Sequence, residues 1–116
     1  MTGSGLLWRW LVAFREVNAH GRNFSAAHMG VLMSLATRAD PSGLGIYRGV
    51  AGLATDTGAK RDTVVAALAK ARDMRVIERR RKSRRGSGEA DTYALVPPAD
   101  WRLTYDREHP RERAPF

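Results

Sequence analysis

The chain has 116 residues, no cysteine and a formal net charge of +8. That length fits one small domain around a single core, and the lack of cysteine excludes a disulfide framework and a thiolate zinc site, in keeping with a reducing, cytoplasmic setting. The longest apolar stretch, GLLWRWLVAF, is interrupted by Arg9 and falls well short of the roughly 20 residues a membrane span needs, so no membrane partner and no signal peptide are expected.

Residues 6–18 place Leu7, Trp10, Leu11 and Phe14 at helical spacing, with Trp8 and Val12 widening the apolar face. Residues 1–24 therefore read as an N-terminal amphipathic helix. Its face serves core packing or a homodimer contact, two roles that look alike in sequence. A main domain follows over residues 25–97. NAHGRN breaks the first pattern, and Ser25 suits the N-cap of a second helix over about 26–38. There Met29, Leu32, Met33 and Ala36 recur at i, i+3, i+4 and i+7, before the turn-rich ADPSGLG.

Residues 49–55 read as a short helix with Val50, Leu53 and Ala54 inward. DTGA makes a tight turn into a helix over about 59–74, whose inward face is Val64, Ala67, Leu68 and Ala71, with Met74 closing the end. RVIERRRK then reads as a strand, SRRGSGEAD as a turn with two glycines and TYALV as the returning strand. Pro97 and Pro98 stop the sheet. Residues 98–116 are charged and broken by proline, so a flexible tail is expected, with Trp101 and Leu103 as the side chains by which it would dock back. The expected fold class is mainly α with a small β-hairpin.

Charge is concentrated in one place. Between Lys60 and Arg85 there are 11 Lys or Arg against 3 Asp or Glu, and the other 9 basic and 9 acidic residues cancel. Such a localised field attracts a polyanion, either nucleic acid or an anionic surface. Solubility alone does not require this concentration. One detail is unusual: Lys60 and Arg61 stand where a helix macrodipole is already positive and an acidic residue would be favoured.

The order of elements, the stretch LATDTGAKRDTVVAAL and the pair VIERRRK and DTYAL together resemble a winged helix-turn-helix domain over about Met29 to Val96. The variety it resembles occurs in actinobacterial plasmid and phage regulators and replication initiators. The resemblance puts Leu53 and Ala54 on the first motif helix, Gly58 in the turn, Thr63 and Val64 on the recognition helix and Tyr93 on the second strand of the wing. This chain departs from the pattern in three places. Arg48-Gly49 replaces the usual Pro-Ser, Arg75 stands where Gly commonly separates helix from wing, and Lys60 takes a position often held by Ser or Thr.

The resemblance implies double-stranded DNA as partner and no cofactor. Arg61 is the candidate for a bidentate guanine contact, with phosphate contact as its alternative. Lys60 is then compensated by phosphate, Asp62 accepts from a cytosine amine or orients an Arg, and Thr63 bonds a phosphate or packs. Val65, Ala66 and Ala69 can offer bases only apolar contact, as with thymine methyl groups. Arg48 and Lys70 read as phosphate contacts. Arg79, Arg80, Arg81, Lys82, Arg84 and Arg85 lie on the wing, with Arg84 or Arg85 at its tip reaching a narrow minor groove.

Enzymatic readings fare poorly. His20, His28 and His109 form no ligand pair, and no phosphate loop or nucleophile–base constellation is present. The functions that compete are a transcriptional regulator, a replication initiator or partition protein, and, more distantly, a protein-interaction module using the basic face. A single-stranded RNA binder would need aromatic platforms that this basic face lacks.

Overall fold

Among the described residues, five helices and one two-stranded antiparallel sheet follow the order α1 (Gly5–Gly21), α2 (Ala26–Ala36), α3 (Val50–Thr57), α4 (Arg61–Asp73), β1 (Ile77–Arg81), β2 (Thr92–Leu95) and α5 (Pro98–Glu108). The computed structural model describes residues 5–21, 24–39, 46, 49–81, 92–112 and 114, with the side chains of 18–21 and 81 left out. The fold is therefore mainly helical with a small sheet. No helix among the described residues is long and apolar enough to cross a membrane.

The core forms where α2 packs on α4, α3 and α1. Ser25 caps α2 by accepting a hydrogen bond from the His28 amide at 3.2 Å. The buried positions of α2 are Val31, Leu32, Leu35 and Ala36, and the expected Met29 and Met33 are only half-buried at the margin. An amphipathic stripe is a poor guide here because α2 is covered from three sides, so its buried arc is wider than one stripe. On α4, Val64, Ala67, Leu68 and Ala71 are all buried and Met74 closes the end, as its spacing implies.

Aromatic rings tie α1 into this core. Trp10 stacks on Phe14 at 4.8 Å, Phe14 meets Phe24 at 5.0 Å, and Trp101 approaches Trp10 edge-on at 5.9 Å. The indole N–H of Trp10 donates to the Val76 carbonyl at 2.7 Å. The Val96 amide donates to that same oxygen at 3.1 Å. One carbonyl thus joins α1, the entry of β1 and the exit of β2.

The sheet pairs Ile77 with Leu95, Glu78 with Ala94, Arg79 with Tyr93 and Arg81 with Thr92, with a bulge between Arg79 and Arg81. Its second edge is occupied too: the Tyr93 amide donates to the Ile46 carbonyl at 2.9 Å, an isolated antiparallel bridge. Nothing in the local sequence announces that contact.

The expectation of a flexible tail over 98–116 is overturned for its first half. Pro98 supplies a preset φ at the first helical position and Asp100 complements the dipole in the first turn. Trp101 and Tyr105, one turn apart, are both buried. The Trp101 indole N–H donates to the Val96 carbonyl at 2.7 Å. Leu103 does not dock back; it is 65% exposed, because it lies on the helix face opposite that pair. Past the helix, His109 stacks on Tyr105 at 3.9 Å, and its Nε2 lies 3.4 Å from the Asp73 carboxylate at the end of α4.

The joint between α4 and β1 explains Arg75. Its φ of 61° is left-handed. The Arg75 amide donates to the Arg72 carbonyl and the Val76 amide to the Ala71 carbonyl, both at 3.1 Å. This is a Schellman ending, with Val76 and Ala71 buried against each other's side of the turn. Glycine normally takes this left-handed position. Here the arginine's side chain gains a partner instead, with Nε donating to the Glu108 carboxylate of α5 at 2.6 Å.

Two measurements check these assignments. Arg75→Gly should be more stable than Arg75→Ala by about 1 kcal/mol in denaturant melts, since both lose the ion pair but only alanine keeps the left-handed strain. The His109 imidazole is held above its ordinary value, first by the Tyr105 carbonyl and then by Asp73, against an opposing effect of burial. Its contact with α4 is therefore complete below the usual imidazole range and fades as pH rises through the raised value. The thermal midpoint should fall over that window, and Asp73→Asn should flatten the fall.

Candidate nucleic-acid interface

Helices α3 and α4 meet through a turn built from side-chain and backbone chemistry together. Gly58 takes φ of 71° at the end of α3, and its amide donates to the Ala54 carbonyl at 2.9 Å. Thr57 donates its hydroxyl to the Leu53 carbonyl at 2.7 Å and accepts from the Ala59 amide at 3.2 Å. Arg38 reaches from the end of α2 to Asp56 at 2.9 Å, fixing the last turn of α3. The start of α4 is consequently held at a set angle to the core.

That start carries no cap. Lys60 occupies the N-cap position in extended conformation and makes no side-chain capping hydrogen bond. The amides of the first turn of α4 are left facing outward with a positive dipole end. Lys60 and Arg61 are exposed there, and neither has an ion-pair partner among the described residues. Asp62, also exposed, is the acidic residue in the first turn of α4.

At about 100° per residue, α4 presents three bands. Asp62, Ala66, Ala69 and Asp73 run along the middle of the outer face, and Val65, 47% exposed, lies toward the flank of Arg61 and Arg72. Arg61 and Arg72 lie on one flank, three turns apart. Thr63, half-buried, and Lys70, exposed, lie on the other. The Arg61–Arg72 flank borders the sheet: Arg72 reaches the Tyr93 hydroxyl across a long 3.5 Å contact, and Tyr93 is the cross-strand partner of Arg79. Arg72 of α4 and Arg79 of β1 therefore meet the same tyrosine.

Lys70 belongs elsewhere. Its ammonium lies over the Phe24 ring at 5.1 Å from the centroid, beside the start of α2. On β1, Arg79 and Arg80 are exposed, and Arg80 pairs with Glu78 at 3.1 Å. The bulge leaves Arg79 and Arg81 at unlike register positions, opposite Tyr93 and Thr92 respectively. A regular strand would have aligned them. Arg48, Lys82, Arg84 and Arg85 lie outside the described residues, and Arg81 is described in its backbone alone.

Sequence reasoning missed Arg72, whose helical register with Arg61 was available as a signal. It could not have found the Ile46 bridge that braces the sheet. Among the described residues no group of three His, Asp or Glu is placed to hold a metal ion. No protein-family model, curated protein or solved structure matches the chain.

Proposed function

We propose that the chain is a double-stranded DNA-binding protein of winged helix-turn-helix type, with α3 and α4 as the motif helices and β1–β2 as the root of the wing, serving as a transcriptional regulator. The observation that carries this reading is the pair Lys60 and Arg61, exposed and without ion-pair partners among the described residues, on a helix start with no side-chain cap. Two cations on a positive dipole end repel in the free protein, and a phosphate backbone removes that repulsion.

The three bands of α4 fit the chemistry of a major groove. Between Asp62 and Asp73, the small side chains of Ala66 and Ala69 allow close approach to base edges, and Val65 beside them gives apolar contact to thymine methyl groups. Arg61 on one flank can reach a guanine, while Lys70 on the other and the β1 arginines reach phosphates on either side. Val65, Ala66 and Ala69 offer bases no hydrogen bond, so direct readout rests on Arg61 and is sparse. Backbone attraction and duplex shape then supply the rest.

Selection of bound duplexes from a random pool, followed by footprinting, tests the reading. A palindrome with half-sites about 10 base pairs apart supports a regulator, direct repeats point to an initiator or partition protein, and failure to retain any duplex removes the proposal. Affinity should fall by roughly 10³–10⁵ between about 50 and 200 mM salt if six to ten phosphates are neutralised. Arg61→Ala should relax preference at one base position at a cost of about 1–3 kcal/mol. A uniform loss across sequences would instead make Arg61 a phosphate contact.

A further inference from the structure

Helix α1 has two faces, and among the described residues the core takes one of them. Trp10 and Phe14 are fully buried inward, while Trp8 on the outer side is 67% exposed, one of the three large apolar side chains exposed among the described residues. Trp8 does not stand alone. With Arg9, Val12 and Ala13 it lines a groove closed on its far side by Pro97, Pro98 and Ala99 at the start of α5. We infer that this outer face of α1 binds the same face of a second copy of the chain, with the two helices antiparallel. The inference is independent of what α4 binds.

The order of charges along the helix selects a second copy over another partner. At about 100° per residue, Trp8, Val12, Glu16 and Arg9 fall within one outward arc, in that order around the axis. Arg9 and Glu16 stand on one flank of it, seven residues apart and equally distant from the midpoint between Val12 and Ala13. A two-fold axis through that midpoint brings Arg9 of each copy level with Glu16 of the other, on the same flank. On the opposite flank the same operation sets Trp8 of each copy against Arg15 of the other, within about 3 Å along the axis. That places a guanidinium beside an indole face. The seam is complementary to itself on both flanks, the requirement of an isologous dimer.

Glu16 has contacts within its own chain that a second copy must displace in part. Arg15 and Glu16 pair within the chain at 3.5 Å, but their side chains are 68% and 54% exposed. Such a pair contributes little and exchanges readily for one across an interface. The seam is short, so the dimer belongs with small, reversible interfaces of micromolar affinity rather than with permanent ones.

Sedimentation equilibrium of the full chain across the micromolar range tests this. The wild-type chain should form a reversible dimer, and Trp8→Ala should weaken it on the order of tenfold. Arg9→Glu alone and Glu16→Arg alone should each be monomeric, because each sets like charges against each other. Mixing the two single variants should give a one-to-one heterodimer, and the double variant Arg9→Glu/Glu16→Arg should recover the homodimer. A wild-type chain that stays monomeric overturns the inference. So does a dimer that ignores the single reversals, or a mixture whose two variants stay apart. All three positions are accessible to solvent, so unchanged circular dichroism is expected for every variant.

Discussion

The structure turns on one oxygen. The Val76 carbonyl accepts from the Trp10 indole at 2.7 Å and from the Val96 amide at 3.1 Å, using both of its lone pairs within the buried core. The same residue's amide closes α4 by donating to Ala71. Remove that convergence and α1, α4 and the sheet lose the point that fixes their mutual positions. An unsatisfied buried carbonyl would then cost on the order of 1–3 kcal/mol.

Around that point the described residues keep charged side chains out of the core, although the Nδ1 of half-buried His28 is enclosed without a hydrogen-bond partner. Among the described residues no polar or charged side chain is buried. The cations therefore stand in water, where several find carboxylates: Arg38 with Asp56, Arg75 with Glu108, Arg80 with Glu78. These exposed pairs add little to stability individually. Their placement is more informative than their strength. The first two neutralise charge at the joints of the fold and the third lies within β1, while the tip of α4 keeps an excess of positive charge.

How much of this was legible depended on whether the controlling force was local. The inward face of α4 could be read from spacing, because a helix covered on one side has one stripe. The stripe on α2 was misphased, since neighbours on three sides leave no single face. Helix α5 was hidden under proline and charge, although Pro98 at its start and the Trp101–Tyr105 spacing mark a helix once prolines are read as starters rather than breakers. Arg75 looked like a defect and is a left-handed terminus with an ionic tether. The Ile46 bridge and the double acceptance at Val76 are long-range backbone contacts, which no residue pattern encodes. Of the candidate site, Lys60 and Arg61 were legible because charge against a dipole is a local conflict. The contact of Arg72 with Tyr93, which brings the far end of α4 to the sheet, needed three dimensions.

The contrast between the two ends of α4 sets a gradient along it. Its last turn is locked by the Schellman bonds and by the Val76 joint, while its first turn has no side-chain cap and, among the described residues, no ion pair to hold it. Local opening of this helix therefore starts at Arg61 and travels toward the core, so protection of its amides against solvent exchange should climb from head to tail. The segment with the most freedom to adjust to a bound surface is the one where Lys60 and Arg61 outnumber Asp62.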